Sequence, residues 1–259
     1  MRHLRCLPKY RKCTPINANR PCRSCSARPN PLVPIPAPLD LRYSDGNDHL
    51  DLSSSDQTVT VKSKKPAAPK LGPRFEQALL FATRKHAGQT RKGTAVPYVA
   101  HLLSVAGLVL EAGGDEDLAI AALLHDVVED CGGAPMLRQL RRRFGKRVAH
   151  VVDGCTDTDL DPKPPWRQRK EDYLKHLRTA DADVRLVSAA DKLHNARSAL
   201  TDHRELGEPV WERFQGKRDG TLWYYRALLH EFQREKANPL INELERVIIE
   251  LETLAAPAK

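Results

Sequence analysis

The feature that most restricts the fold of this chain is a long series of helix-forming segments that begins near Arg74. In "RFEQALLFATRKHAG", apolar residues recur at the spacing of an amphipathic helix, and Gly88 ends the segment. The segments that follow show the same periodicity between Gly or Pro residues, and none alternates as a β-strand does. The sequence therefore predicts about nine helices and an all-α fold for residues 71–259, a helical bundle.

Residues 1–70 have a different composition from the rest of the chain. They include the proline-rich stretch "RPNPLVPIPAPL", which favours extended conformers, and a polar stretch without helical period. Nearly all of the net charge of +9 comes from these residues. Because so little apolar surface could be buried here, we expect a disordered, basic, Pro-rich tail at 1–70 and one domain at 71–259.

The cysteines and the charge of this tail allow two further hypotheses. Cys22 and Cys25 have the spacing of a zinc pair, but Cys6 and Cys13 form no second tight pair, so unpaired thiols in a reducing cytosol are favoured. The basic charge would permit contact with RNA or acidic partners, with non-specific, salt-sensitive binding as the alternative. For the folded domain, which has almost no net charge, we expect no nucleic-acid partner.

The chain offers no sequence signal for a membrane. It has no run of 18 apolar residues and no secretory signal at its N-terminus. We therefore expect a cytoplasmic protein without a membrane partner.

The stretch "ALLHDVVEDCG" at residues 122–132 places four ionisable groups after an apolar run. We expect this segment to be part of one helix that begins at the acids near residue 115 and ends at paired glycines. His125 and Asp126 would lie near its end, followed one turn later by Glu129 and Asp130. A divalent metal needs ligands that converge from several elements, and His101 and Asp191, on two other predicted helices, are further candidates.

Each of these residues also has a simpler interpretation. His101 could be a core histidine with satisfied hydrogen bonds, and Asp191 could form a surface pair with Lys192. Glu129 and Asp130 could be a solvated helix end, although acids at a helix C-terminus oppose the helix dipole. Only their joint occurrence in one arrangement favours a site.

That arrangement resembles the "His…His-Asp…Asp" pattern of HD-domain phosphohydrolases. More narrowly, "HAGQTRKGTAVPYVAHLLSVAGLV", "AALLHDVVED", "FGKRVAHVVDGCTD" and "AADKLHNARS" resemble the hydrolase half of the Rel/Spo enzymes and the small alarmone hydrolases. The resemblance covers about residues 74–235. It implies an all-α HD-domain bundle that hydrolyses guanosine 3′,5′-bis(diphosphate), (p)ppGpp, and releases the 3′-pyrophosphate to give GDP or GTP.

The resemblance also implies roles for individual residues. One divalent metal, usually Mn²⁺ in this family, would be held by His101, His125, Asp126 and Asp191. Glu129 and Asp130 fall on the catalytic acid pair. Arg91, Lys92 and Asn195 fall on positions that contact the nucleotide substrate.

The sequence departs from the family pattern at one position and leaves three questions open. Relatives commonly have proline after the first metal histidine, whereas here Leu102 follows His101, which puts local geometry and substrate choice in doubt. The same metal site could serve another nucleotide, or the protein could be a non-catalytic nucleotide sensor. A homo-oligomer is left open.

Overall fold

The computed structural model describes residues 69–158, 160, 162–234 and 238–256. Residues 1–68 lie outside this described part. The predictions of a disordered tail, of binding partners for the tail and of a zinc site at Cys22 and Cys25 refer to these residues.

The described residues form helices connected by short loops, which confirms the predicted all-α fold class. Their only extended pairing is an isolated bridge between Thr90 and Pro97. A 3₁₀ helix at Glu208–Arg213 joins the eighth α-helix to the ninth. The α-helices are α1 (Pro73–Lys85), α2 (Val99–Glu111), α3 (Glu116–Leu124), α4 (Val127–Cys131), α5 (Gly133–Phe144), α6 (Lys146–Cys155), α7 (Trp166–Thr179), α8 (Ala182–Leu206), α9 (Lys217–Phe232) and α10 (Pro239–Leu254).

Short polar side chains fix the starts of the helices that matter most for the site. The Asp115 carboxylate accepts a hydrogen bond from the backbone N–H of Leu118 at the start of α3. The Asp181 carboxylate accepts one from the N–H of Val184 at the start of α8. Each cap satisfies an N–H group that has no partner within its helix, so these helices begin at defined residues.

Helices α3 and α8 form the centre of the core. All residues of α3 from Leu118 to Leu124 are buried, and α3 contacts α1, α2, α6 and α8. Helix α8 has 25 residues and contacts α2, α3, α6, α9 and α10. A helix that is apolar on all sides must be surrounded by others. Groups at the end of α3 and in the middle of α8 are therefore held by the whole bundle.

The structure corrects the prediction of one continuous helix up to the paired glycines. Helix α3 ends at Leu124, and the short α4 begins only at Val127. Between them, Asp126 has φ −94° and ψ −6°, at the edge of the right-handed helical region. Hydrogen bonding resumes when the Asp126 carbonyl accepts from the N–H of Asp130. The chain is thus bent at His125 and Asp126.

Within the described residues, no helix combines the length and apolarity that a bilayer crossing requires.

Candidate metal centre and adjoining pocket

Four side chains from three regions of the fold meet in the core. The Nε2 atoms of His101, on α2, and His125, at the bend after α3, are 3.3 Å apart. Asp126 Oδ2 lies 3.0 Å from His125 Nε2 and 3.5 Å from His101 Nε2. Asp191 Oδ1, on α8, lies 3.2 Å from His101 Nε2 and 3.6 Å from His125 Nε2. The structure therefore brings together all four of the predicted ligands.

The spacing and chemistry of these atoms fit a divalent metal. Ligands at right angles on bonds of about 2.1 Å stand about 3 Å apart, close to the observed separations. Even without Asp191, the donor atoms of His101, His125 and Asp126 are close enough together to hold an ion. Two imidazole nitrogens with two carboxylate oxygens suit a first-row divalent metal.

Neighbouring groups orient both histidines toward the centre. His125 Nδ1 lies 2.7 Å from the carbonyl oxygen of Ala122, to which it donates, so Nε2 is the ring atom that faces the other ligands. His101 Nδ1 pairs with His194 Nδ1 at 2.7 Å. Burial, and next His101, lower the pKa of His194 to about 4, so its ring is neutral at pH 7. Such partners outside the ligand set fix the tautomer and direction of ligand rings.

The electrostatics of the centre favour a bound cation. Burial works against the charge of Asp126, but His125 outweighs it and holds the pKa of Asp126 well below its ordinary value. For Asp191, burial is likewise outweighed, chiefly by Lys192, and its pKa is also low. Two ionised carboxylates therefore face two imidazoles in a buried space, where uncompensated charge is costly.

Tyr98 is a further component of the centre that sequence reasoning did not assign. Its hydroxyl donates to Asp126 Oδ2 at 2.6 Å. Burial, followed by Asp126, raises the pKa of Tyr98, so the phenol remains a donor. Its place in the segment "HAGQTRKGTAVPYVAHLLSVAGLV", one turn before His101, was the available signal.

The two predicted catalytic acids lie in different environments. Glu129 is partly buried, lines a pocket next to the centre, and its Oε1 lies 2.9 Å from Lys163 Nζ. Asp130 is exposed, does not line this pocket, and accepts a hydrogen bond from Gln89 Nε2 at 2.8 Å. Lys163 and Gln89 are contacts that the sequence did not indicate.

The three predicted substrate-binding residues all line the same pocket, which has a volume of about 540 Å³. Arg91 Nη2 donates to Asn195 Oδ1 at 2.7 Å, and Asn195 Nδ2 donates to Asp191 Oδ1 at 2.5 Å. Lys92 is exposed at the rim. A chain of hydrogen bonds thus connects a cationic pocket wall to one of the four converging side chains.

Comparisons with known proteins indicate the family to which the chain is similar. Residues 78–222 match a family model described as "HD domain". The chain is 34% identical to the GTP pyrophosphokinase of Streptomyces coelicolor over 206 residues, which is 78% of this chain and 21% of that protein. It is 36% identical to the probable guanosine-3′,5′-bis(diphosphate) 3′-pyrophosphohydrolase of Synechocystis sp. over 125 residues, 47% of this chain and 16% of that one. The chain therefore spans only about a fifth of the length of these curated relatives.

A solved structure gives the same result for the fold. It is a metazoan ortholog of SpoT, a protein that hydrolyzes ppGpp and plays a role in starvation responses. The match has a TM-score of 0.59 and 28% identity and covers 71% of this chain and 98% of the solved one. Since the family model spans more than half of the sequence, the chain belongs to the HD domain family.

Proposed function

We propose that this protein is a metal-dependent phosphohydrolase that cleaves (p)ppGpp at its 3′-diphosphate and releases pyrophosphate together with GDP or GTP. The observation that supports this most directly is the convergence of His101, His125, Asp126 and Asp191 beside a cationic pocket. The similarity to a pyrophosphohydrolase and to a ppGpp-hydrolysing ortholog of SpoT favours this substrate over others.

We assign Mn²⁺ to the centre as its metal. A divalent ion bound there supplies Lewis acidity, which makes water easier to deprotonate and offsets charge on phosphoryl oxygens. The protein's own part is to keep two imidazoles and two carboxylates in place through the contacts of Tyr98, His194 and Ala122.

We assign proton transfer to the two acids, Glu129 and Asp130. The oxygen of water bonds to the phosphorus attached to the 3′ oxygen, and the bond between that phosphorus and the 3′ oxygen breaks. Glu129, which lines the pocket, would take a proton from the attacking water. Asp130, entering the step in its protonated form, would give that proton to the 3′ oxygen. Glu129 would then release its proton to solvent and Asp130 would take one up, so that both groups return to their starting states. Lys163 next to Glu129 keeps that carboxylate near the pocket.

Arg91, Lys92 and Asn195 are assigned to nucleotide binding. The substrate has several negative charges, and cations lining a pocket are the groups that recognise phosphates. The Arg91 guanidinium also lies over the Tyr98 ring, with 5.8 Å between Cζ and the ring centroid, which fixes its position close to the centre.

A nucleotide panel tests the substrate, because neither a fold nor a metal site defines one. Purified protein with Mn²⁺ is incubated with ppGpp, pppApp and ordinary 5′-nucleotides, and its metal content is measured. We expect pyrophosphate release from ppGpp. If the protein hydrolyses another nucleotide but not ppGpp, the proposed substrate is rejected and the enzyme class is retained.

Two variants test whether the protein is an enzyme rather than a nucleotide sensor. We expect His125→Ala to lose both bound metal and turnover, because it removes a ligand. Glu129→Gln should keep the metal and lower kcat about 10²- to 10⁴-fold, the usual contribution of a general base. Nucleotide binding without turnover in the wild type and both variants would instead favour a sensor.

A further inference from the structure

The wall of the pocket formed by α7 and α9 contains polar groups that the proposed mechanism does not use. We define the α7–α9 wall by Trp166, Arg169, Lys170, Thr221 and Tyr224, all of which line the pocket. Trp166 packs closely on the start of α9, where a Cβ on Gly216 would lie 2.6 Å from the indole Cη2 atom. The wall is therefore a packed surface.

Two hydroxyls of this wall and one neighbouring carboxylate oxygen are buried and have no hydrogen-bond partner among the described residues. They are Thr221 Oγ1, Tyr224 OH and Asp157 Oδ1, and all three residues line the pocket. Thr221 is 6% exposed and Tyr224 is 8% exposed. A buried polar group without a partner is costly and uncommon, so the two hydroxyls at a pocket wall indicate a ligand that supplies the missing partners.

The charge of the wall shows which kind of ligand fits. Arg169 and Lys170 share Asp157 Oδ2, so one carboxylate balances two cations. Burial, followed by the nearby Lys192, lowers the pKa of Lys170, so an anion beside Lys170 would favour its charged form. An anion that accepts hydrogen bonds from two hydroxyls would satisfy both the charge and the unpartnered donors.

The two oxygens of Asp191 have different partners. Oδ1 lies near the two histidines and accepts from Asn195, which is bonded to Arg91. Oδ2 lies 2.6 Å from Lys192 Nζ, and the charge of Lys192 acts on Lys170. The proposed hydrolysis divides the substrate into a nucleotide and a diphosphate, and the pocket is lined by Arg169 and Lys170 in addition to Arg91 and Lys92.

We propose that the α7–α9 wall binds the diphosphate leaving group, with Lys170, Thr221 and Tyr224 as its direct contacts. A protonated oxygen of the diphosphate would donate to Asp157 Oδ1. This inference rests on the proposed function for the identity of the anion, but the wall itself can be tested without turnover.

Inorganic pyrophosphate is the probe, and its dissociation constant is measured by calorimetry on the metal-loaded full chain. Thr221→Val and Tyr224→Phe each remove only a hydroxyl. We expect each to weaken pyrophosphate binding about tenfold, the value of one hydrogen bond to a charged group, and the double variant to weaken it further. Melting temperature should stay the same or rise, because the hydroxyls that are removed have no partner in the protein.

Ser198→Ala is the matched control. Ser198 also lines the pocket, but its hydroxyl already donates to the carbonyl oxygen of His194 at 3.0 Å. We expect its removal to leave the pyrophosphate dissociation constant unchanged.

Other outcomes separate this inference from the proposed function. Equal pyrophosphate affinity in wild type and the Thr221 and Tyr224 variants, or no binding by the wild type, overturns the assignment of the wall even if ppGpp is hydrolysed. An equal loss of GDP and pyrophosphate affinity overturns it too. Weaker pyrophosphate binding in the variants of a protein that does not hydrolyse ppGpp supports the wall and rejects the proposed function.

Discussion

At the scale of single residues, His194 has the clearest structural reason for its position. Its Nδ1 atom lies 2.7 Å from Nδ1 of His101, whose side chain is only 1% exposed. Among the described residues, no other side chain outside the four converging groups forms a hydrogen bond with the His101 ring. His194 therefore decides the direction in which His101 presents Nε2.

We expect His194→Ala to lower metal affinity about 10- to 100-fold, the usual cost of losing a partner of a ligand histidine. Competition with a fluorescent chelator measures the dissociation constant directly. His176→Ala is the control, since His176 is exposed on α7 and should leave the affinity unchanged. Equal affinity of His194→Ala and wild type would contradict the positioning role.

Residue types at the centre could be predicted from sequence, but their partners could not. His101, His125, Asp126 and Asp191 were identified through a family pattern, and the structure brings them together. The contact between Tyr98 and Asp126, and that between Lys163 and Glu129, join residues about thirty positions apart. Such pairs depend on how helices pack, which helical periodicity does not specify.

At the scale of helices, α8 depends on its first residues for a fixed start. The Asp181 carboxylate accepts from the N–H of Val184 at 3.0 Å and lies 2.6 Å from His150 Nε2. The hydrogen bond from Val184 is the main cause of a lowered pKa for Asp181. Since Asp191 lies on the same helix, the cap and the centre belong to one rigid element.

We expect Asp181→Ala to lower the free energy of unfolding by about 0.5–2 kcal/mol at pH 7. Because the pKa of Asp181 is lower in the folded state, its contribution is complete above about pH 4 and is lost as the pH falls through the folded pKa. Urea unfolding at pH 7 and pH 3 should therefore show a difference between wild type and variant that shrinks in acid.

Asp172→Ala is the control for this experiment. Asp172 is exposed and pairs with Lys175 on the same helix, so its removal should change stability by less than about 0.5 kcal/mol. A difference between wild type and Asp181→Ala that grows in acid would contradict the proposed role of the cap.

At the scale of the whole molecule, a metal would connect helices that are distant in sequence. The candidate ligands lie on α2, at the bend between α3 and α4, and on α8. An ion that binds only the folded chain stabilises it by about 2.7 kcal/mol at one hundred times its dissociation constant. For a domain of this size, that corresponds to a change in melting temperature of roughly 5–10 °C.

We therefore expect chelation to lower the melting temperature by about that amount and re-addition of Mn²⁺ to restore it. Scanning calorimetry measures both steps. Asp126→Asn, which weakens one ligand while keeping its shape, should reduce the response to Mn²⁺. An identical response in Asp126→Asn would show that the stabilising ion binds elsewhere.

The fold class could be predicted because amphipathic periodicity is a local property, as in α1 and α10. The bend at His125 and Asp126 could not, since apolar residues flank it on both sides and no Gly or Pro marks it in the sequence. The bend is tolerated because both flanking segments are buried by other helices. Such tertiary packing overrides local helix propensity and cannot be read from the local sequence.

This bend has a consequence for anyone who transplants the centre into another scaffold. Consecutive residues of a regular helix project about 100° apart, so a straight rod presents two neighbours to different surroundings. Here His125 Nε2 and Asp126 Oδ2 are 3.0 Å apart at the point where the helix is interrupted. A design that grafts the centre should therefore carry this interruption together with the four donor groups.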